Sequence, residues 1–241
     1  MPSSSSRRVF VAGAGGAIGQ VLCPLLIQDG WNVTGTTRSP ERADRLRALG
    51  VTPVVVDVFD RQALIDAVSK AQPQVVMHQL TDLPKEATPE SMAAARVRNA
   101  HLREVGTDNL VAAALSAGAT RMIVQSIAFA YAAGPQPCTE ESPLDASSHS
   151  SLIKMEQLVL GSGLEAVVLR YGRLYGPNTW TLTPPRPGPL HVDAAADAAR
   201  RAMTLGQGIY NIAEDDGTVT SEKAHRELQW RAEFRRQAEE A

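Results

Sequence analysis

Glycines at positions 13, 15, 16 and 19 stand between an apolar run, Val9 to Ala12, and a stretch in which Ile18, Val21, Leu22, Leu25, Leu26 and Ile27 recur with helical spacing. That order predicts a buried strand, a glycine turn and a helix packed on a sheet. Its chemistry is anion capture, because a helix start offers unpaired N–H groups and a positive dipole end to a phosphate. Gly13 permits the tight turn, Gly16 lets the backbone approach a pyrophosphate, and Gly19 lets the helix lie close to the strand. Gly15, Ala17 and Ile18 complete the loop and first turn. A second strand, Trp31 to Thr36, comes at the distance expected of a dinucleotide-binding βαβ unit. At its end stand Thr36, Thr37, Arg38 and Ser39, with no acid to receive a ribose 2′-hydroxyl. A guanidinium among hydroxyls suits a 2′-phosphate, so NADP is the expected cofactor and NAD the second choice.

The elements needed to hold such a ligand come in alternation. Glu41 to Leu49 reads as a short basic helix, and Val51 to Val58 as strand three, with Asp57 and Val58 at the adenine edge. Arg61 to Ala71 is helix three, and Gln74 to Leu80 is strand four, whose last residues Gln79 and Leu80 are expected beside the cofactor. His78 in that strand reads as a packing or ribose neighbour rather than a catalyst. Thr88 and Pro89 form a helix start whose pattern runs to Ser116, bent near Gly106. Strands at 119–126 and 165–170 flank a helix from Ser150 to Leu160, and Tyr171 is expected to complete the cofactor site. Pro24 should kink the first helix. Six strands alternating with helices predict a doubly wound parallel α/β sheet of the Rossmann kind, with ligand at the carboxyl ends of the strands.

The chain has 241 residues, 44% hydrophobic and 21% charged, with a formal net charge of −2. That balance gives no electrostatic case for nucleic acid or an anionic membrane, and no apolar run is long enough to span a bilayer. Two cysteines, Cys23 and Cys138, suit a reducing compartment, and the expected location is the cytoplasm. Ser6-Arg7-Arg8-Val9-Phe10 has the look of a twin-arginine export signal, yet the residues after it are better read as strand, glycine loop and helix. Met1 to Ser6 is expected to be a frayed tail. No metal-ligand spacing is present.

Together these segments resemble the extended short-chain dehydrogenase/reductases, in their NAD-dependent epimerase/dehydratase branch. Ala12-Gly13-Ala-Gly-Gly16-Ala-Ile-Gly19 is similar to the family's T-G-x-x-G-x-x-G. Gly106-Thr-Asp-Asn-Leu110, Gln125-Ser126, Thr139-Glu-Glu-Ser-Pro143, Leu169 to Pro177, His191-Val-Asp193 and Tyr210-Asn211 match further landmarks in order. The resemblance implies hydride exchange with a nicotinamide, a serine that hydrogen-bonds the substrate oxygen, and a Y-x-x-x-K pair whose lysine lowers the tyrosine pKa. Ser126 matches the serine and Lys154 followed by Glu156 the lysine region, which also implies a ribose contact for Lys154. The position four before Lys154 is Ser150, not tyrosine, and an alkanol does not become a neutral-pH acid. Tyr131 could substitute, or His149 or Ser150 could pass protons through water; otherwise the acid step is absent or belongs to the substrate, and the protein catalyses poorly or only binds.

The family's substrate domain is cut short as well. Residues 1–176 read as the NADP-binding Rossmann domain, and 177–241 as an abbreviated substrate-side part that is no domain by itself. That part holds a proline-rich loop, a helix from Asp193 to Leu205, a strand from Gly208 to Ile212 and a charged tail helix, with Tyr175 and Trp180 as candidate cleft walls. The resemblance thus implies an NAD(P)-dependent oxidoreductase or epimerase-like enzyme on a small carbonyl or hydroxyl compound. The alternative is an NADP-binding sensor without turnover. It also implies a possible homodimer through the helices beginning near Thr88 and Ser150.

Overall fold

In a computed structural model, which describes residues 7–84 and 86–236, seven parallel strands form one sheet. They are β1 (Arg8–Ala12), β2 (Asn32–Thr37), β3 (Thr52–Val55), β4 (Val75–His78), β5 (Arg121–Ile127), β6 (Glu165–Tyr171) and a late strand, Gly208–Ile212. Two short strands, β7 (Arg173–Tyr175) and β8 (Pro189–His191), pair in parallel apart from it, so the late strand is β9. The order is β3-β2-β1-β4-β5-β6-β9. The sequence direction reverses beside β1, where β4 takes the far side from β2, and there a doubly wound sheet opens a crevice for ligand. The expected frayed tail, residues 1–6, lies outside the described residues, as do the last five of the charged tail.

The elements keep to the expected pattern with some differences. Helix α1 (Ala17–Gln28) continues through Pro24. Its neighbours Val21, Leu22, Cys23, Leu25 and Leu26 are all buried, and side chains worth about 1.5–3 kcal/mol each outweigh the ~3 kcal/mol that an interior proline costs. Strand β3 stops at Val55, so Asp57 and Val58 belong to the turn before α3 (Arg61–Ala71) rather than to the strand. Asp57 accepts there from the Phe59 N–H at 3.0 Å. The long pattern from Thr88 resolves into α4 (Pro89–His101), one π-helical stretch (Leu102–Gly106) and α5 (Thr107–Ser116). Thr88 and Ser91 cap the start reciprocally. Gly106 brings the π stretch against Val58, whose methyl a Cβ would meet at 3.4 Å.

The other helices are α2 (Pro40–Ala48), α6 (Ala146–Leu160), α7 (Val192–Arg201) and α8 (Glu222–Glu227). Helix α6 starts four residues earlier than expected, capped by Asp145, and breaks at His149 (φ −131°, ψ 28°) before running straight. Residues beyond 177 are part of the main layer. β9 extends the sheet beside β6, α7 packs on α1, and Leu190, Tyr210, Leu228 and Trp230 share one buried core with Val9, Val11 and Leu22. Among the described residues no helix is long and apolar enough to cross a membrane.

Candidate functional site

The loop between β1 and α1 has the features of an anion site. Helices α2, α3, α4, α6 and α7 each receive a side-chain cap, whereas α1 has none and carries no acid in its first turn. Its first N–H groups therefore keep capacity for a bound anion. Gly13 has φ +99°, and a Cβ there would lie 2.5 Å from the Gln79 carbonyl oxygen. It is a point of close approach between this loop and the segment after β4 as well as a tight turn. Gly19 lies against the Gly13 and Ala14 carbonyls, so its missing Cβ lets α1 close on the loop rather than on the strand. A Cβ at Gly15 would meet nothing, and Gly16 is exposed, with its N–H on the Gly13 carbonyl at 3.0 Å. Ala17 is half-buried, while Ile18 turns inward.

At the end of β2 the hydroxyls are already engaged. Buried Thr36 accepts from the Gly13 N–H at 3.4 Å and steadies the glycine turn. Thr37 accepts from the Ser39 N–H, and Ser39 caps α2 through the Arg42 N–H. Arg38 remains with its guanidinium largely exposed, 3.9 Å from Asp82. Of the residues expected beside the cofactor, Leu80 is half-buried while Gln79 and Tyr171 are buried. The Gln79 amide donates to the Tyr171 hydroxyl at 3.4 Å, and burial raises the Tyr171 pKa far above its ordinary value. These two side chains are floor rather than wall.

The expected catalytic set is dispersed. Ser126, at the end of β5 and 4% exposed, donates to Glu156 at 2.6 Å. Glu156 also receives Arg170 through Nε at 3.0 Å and Nη2 at 2.6 Å. Arg170 in turn donates to the Tyr131 hydroxyl at 3.0 Å, and Tyr131 donates to Asn211 at 2.6 Å. Burial raises the Tyr131 pKa despite the guanidinium beside it. The Ser126 and Tyr131 protons are thus committed to protein acceptors.

Lys154 is not brought to Ser126. Its side chain is 67% exposed and pairs with Glu104 of the π stretch at 3.0 Å. The helix turns Ser151, Leu152, Met155, Glu156 and Val159 inward, so Leu152 occupies the inner face one turn before Glu156, and both Lys154 and Ser150 face outward. His149 is half-buried, and burial together with Arg103 lowers its pKa, which leaves it neutral at pH 7. Trp180 and Tyr175 line neither of the two clefts at the carboxyl end of the sheet. The Trp180 indole donates to the Pro84 carbonyl at 2.9 Å, and buried Tyr175 donates to Glu214 at 2.8 Å.

Two open clefts lie at the carboxyl end of the sheet. The smaller, a cavity of about 40 Å³, is lined by His78, Asn99, Arg103, Gln125 and Ser126 among others. The larger, about 250 Å³, is walled by Phe129, Tyr131, Arg173, Pro187 and Val219, with the Arg173 guanidinium 4.2 Å over the Phe129 ring. His78 is 1% exposed, and burial with help from Arg103 lowers its pKa to about 4. Its Nδ1 accepts from the Leu80 N–H at 3.2 Å, so the proton of the neutral ring sits on Nε2. Motif matching passes through Glu156, beside Lys154, and Arg170, beside Leu169, without giving either a role, and it does not reach Arg103. A signal exists in the sequence for two of them: Glu156 falls on the apolar face of Leu152, Met155 and Val159, and Arg170 interrupts the run Val167-Val168-Leu169.

A family model described as "NAD dependent epimerase/dehydratase family" matches residues 9–212. A 3-diazoavenalumate denitrifying reductase of a Streptomyces species is 43% identical over 183 residues, covering 71% of this chain and 58% of that protein. A 4-hydroxy-2-methyl-3-oxo-4-farnesyl-3,4-dihydroquinoline-1-oxide ketoreductase of Stigmatella aurantiaca is 30% identical over 186 residues, covering 73% and 53%. The chain thus spans little more than half the length of these relatives. A UDP-glucose 4-epimerase structure from Thermotoga maritima superimposes with TM-score 0.77 at 17% identity, covering 95% of this chain and 94% of that one.

Proposed function

The chain belongs to the NAD-dependent epimerase/dehydratase family, and from that premise we propose that it is an NAD(P)H-dependent reductase whose substrate accepts hydride without a proton from the protein. One observation carries this reading: the Ser126 and Tyr131 hydroxyls are hydrogen-bonded to Glu156 and Asn211, and Lys154 is held at the surface by Glu104. Reduction of a ketone generates an alkoxide that a positioned acid must protonate. Displacement of dinitrogen from an aryl diazonium does not. Hydride forms the new C–H bond, the C–N bond breaks, and its electron pair leaves with N₂. The Streptomyces relative is named a denitrifying reductase of 3-diazoavenalumate, which supports this reading. A small aromatic diazo compound is therefore the proposed substrate class.

When bound, a nicotinamide dinucleotide supplies the hydride. The backbone of Gly15, Gly16, Ala17 and Ile18 would hold its pyrophosphate, the turn at Asp57 and Val58 would border the adenine, and Leu80 would border the ribose side. NADP is proposed over NAD because β2 ends at Thr37 and Arg38 without an acid; Arg38 is the cation offered to the 2′-phosphate, with the Ser39 hydroxyl beside it still able to donate. The Glu156–Arg170 pair keeps Ser126 and Tyr131 fixed and aprotic toward the substrate. A cytoplasmic homodimer remains part of the proposal; Val97 on α4 and Leu160 on α6 are exposed apolar residues on the helices it would use.

The test is isotope tracing with 4-deuterated NADPH and an ortho-diazophenol, with the uncatalysed rate subtracted. Deuterium at the carbon that bore nitrogen, with N₂ released and ketones left unreduced, is the expected result. Reduction of a ketone panel at comparable rate would overturn the reading. Tight NADPH binding with no turnover on either panel would favour the sensor, which the same committed hydroxyls also suit.

A further inference from the structure

The smaller cleft is a place of donors without acceptors. Asn99 is spent: its amide donates to the Asp82 and Ala95 carbonyls, and its oxygen accepts from the Asp82 N–H. The Ser126 hydroxyl goes to Glu156, and the Gln125 amide donates to the Leu80 carbonyl at 2.6 Å. Two donors remain. The Nε2 of His78 is buried with no partner. Arg103, set into the cleft by the π stretch between α4 and α5, makes no hydrogen bond or ion pair among the described residues, although the side chain is half-buried. Glu156 acts on it only at longer range, because its two oxygens already serve Ser126 and Arg170.

Every other buried cation among the described residues has an answer: Arg121 has Glu165 and three backbone carbonyls, and Arg170 has Glu156. A guanidinium left with five donors, next to an imidazole N–H that also lacks an acceptor, wants a planar anion with two oxygens. Leu80, Ile127 and Met155 supply apolar walls for the body attached to it. A π turn adds one residue to a helix and re-aims the side chains beyond it, and such turns recur at functional sites.

We infer that Arg103 and His78 form a carboxylate subsite, which selects an aromatic acid as substrate. For the aromatic body the inference rests on the reductase reading above; for the anion it rests on the two unpaired donors alone. A bidentate Arg103 fork holds the carboxylate while His78 Nε2–H donates to one of its oxygens. The subsite fixes which acid enters and how its ring lies, and takes no part in bond making.

Titration calorimetry on the full chain saturated with oxidised NADP tests it, with benzoate and benzamide as probes. Benzoate should bind at least tenfold tighter than benzamide. Arg103→Gln should abolish that difference, Arg103→Lys should keep part of it, and His78→Gln should reduce it several-fold, with folding of each variant checked by circular dichroism. If Arg103→Gln does not fold, the Lys and His78 variants carry the comparison. Equal affinity for acid and amide in the unaltered protein, or unchanged benzoate affinity in the folded variants, overturns the subsite. If it is overturned while diazo turnover persists, the reductase reading stands; benzoate selectivity without any turnover has the opposite meaning.

Discussion

The two halves of the crevice are built on different principles. At the β1–α1 loop, backbone does the work: glycines lie against carbonyls, the helix start is left uncapped, and one hydroxyl, Thr36, steadies the turn. At β5 and α6, side chains do the work, and they are turned on one another: Ser126, Glu156, Arg170, Tyr131 and Asn211 form one buried hydrogen-bonded chain. The first region exposes donors to a ligand. The second hides them. A cofactor site can therefore persist while the proton-delivering half of the same fold becomes scaffold.

The largest effect that would sharpen this contrast lies in the second region. Removing one partner of a buried ion pair strands the other, at about 3–5 kcal/mol. Glu156→Ala should destabilise by that order in urea unfolding, because it strips Arg170 of its carboxylate and Ser126 of its acceptor. Lys154→Ala should fall within about 0.5 kcal/mol, as exposed pairs do, and should leave turnover unchanged. A severe loss of kcat in Lys154→Ala would return the lysine to the site and break the comparison.

The pH dependence of folding reports on the small cleft between the two regions. His78 titrates near 4 in the folded chain and near 6.5 when unfolded. Between those values the unfolded state binds the extra proton, so stability is complete above about 6.5 and falls as pH drops toward 4. Fully developed, the loss amounts to about 3 kcal/mol. Melting curves from pH 7 to pH 4.5 should show it, and His78→Gln should flatten that slope. An unchanged slope in the variant would mean that the imidazole is not held neutral.

What could be read from residues alone divides along the same line. The alternation of strands and helices, the glycine loop and the capped start at Thr88 arise from periodicity and local backbone chemistry, and the sheet has them where expected. The tolerance of Pro24 inside α1 is not legible in the sequence, because propensity counts a lost hydrogen bond and not the buried face that outweighs it. Lys154 misled for a subtler reason. Motif spacing counts from Ser150, yet the break at His149 and the inward set Leu152, Met155 and Glu156 decide which face of α6 meets the sheet. Arg103 was invisible because its direction depends on a π turn, which shifts phase by one residue and leaves no mark in composition.

The glycine loop offers a smaller and cleaner comparison. Gly19→Ala drives a Cβ into the Gly13 and Ala14 carbonyls, so it should cost about 1–3 kcal/mol and weaken NADPH binding with it. Gly15→Ala meets nothing, so the melting temperature should hold while coenzyme affinity alone falls. Calorimetric melting and NADPH titration on the same two variants separate the roles. If both lose stability equally, Gly15 is structural and the open face of the loop is no ligand surface.

The smallest expected effect concerns cofactor choice at the end of β2. Arg38 is exposed, and an exposed guanidinium gains little from a partner in water, about 0.2–1 kcal/mol for an ordinary pair. A phosphate dianion met bidentately gains more, yet Asp82 at 3.9 Å competes for the same cation. Of the neighbouring hydroxyls, Thr37 already donates to the Ser39 carbonyl at 3.3 Å, while Thr36 and Ser39 accept from backbone N–H groups and keep their own protons. Discrimination should therefore be modest: Arg38→Ala should lower the ratio of NADPH to NADH affinity by roughly three- to tenfold, about 1 kcal/mol. Asp82→Asn should raise that ratio slightly by freeing the guanidinium. Added salt should shrink both differences, since the contact lies in solvent. A ratio indifferent to Arg38, to Asp82 and to salt would mean that this end of the crevice does not read the 2′ position, and that the choice between the two cofactors is made elsewhere in the fold.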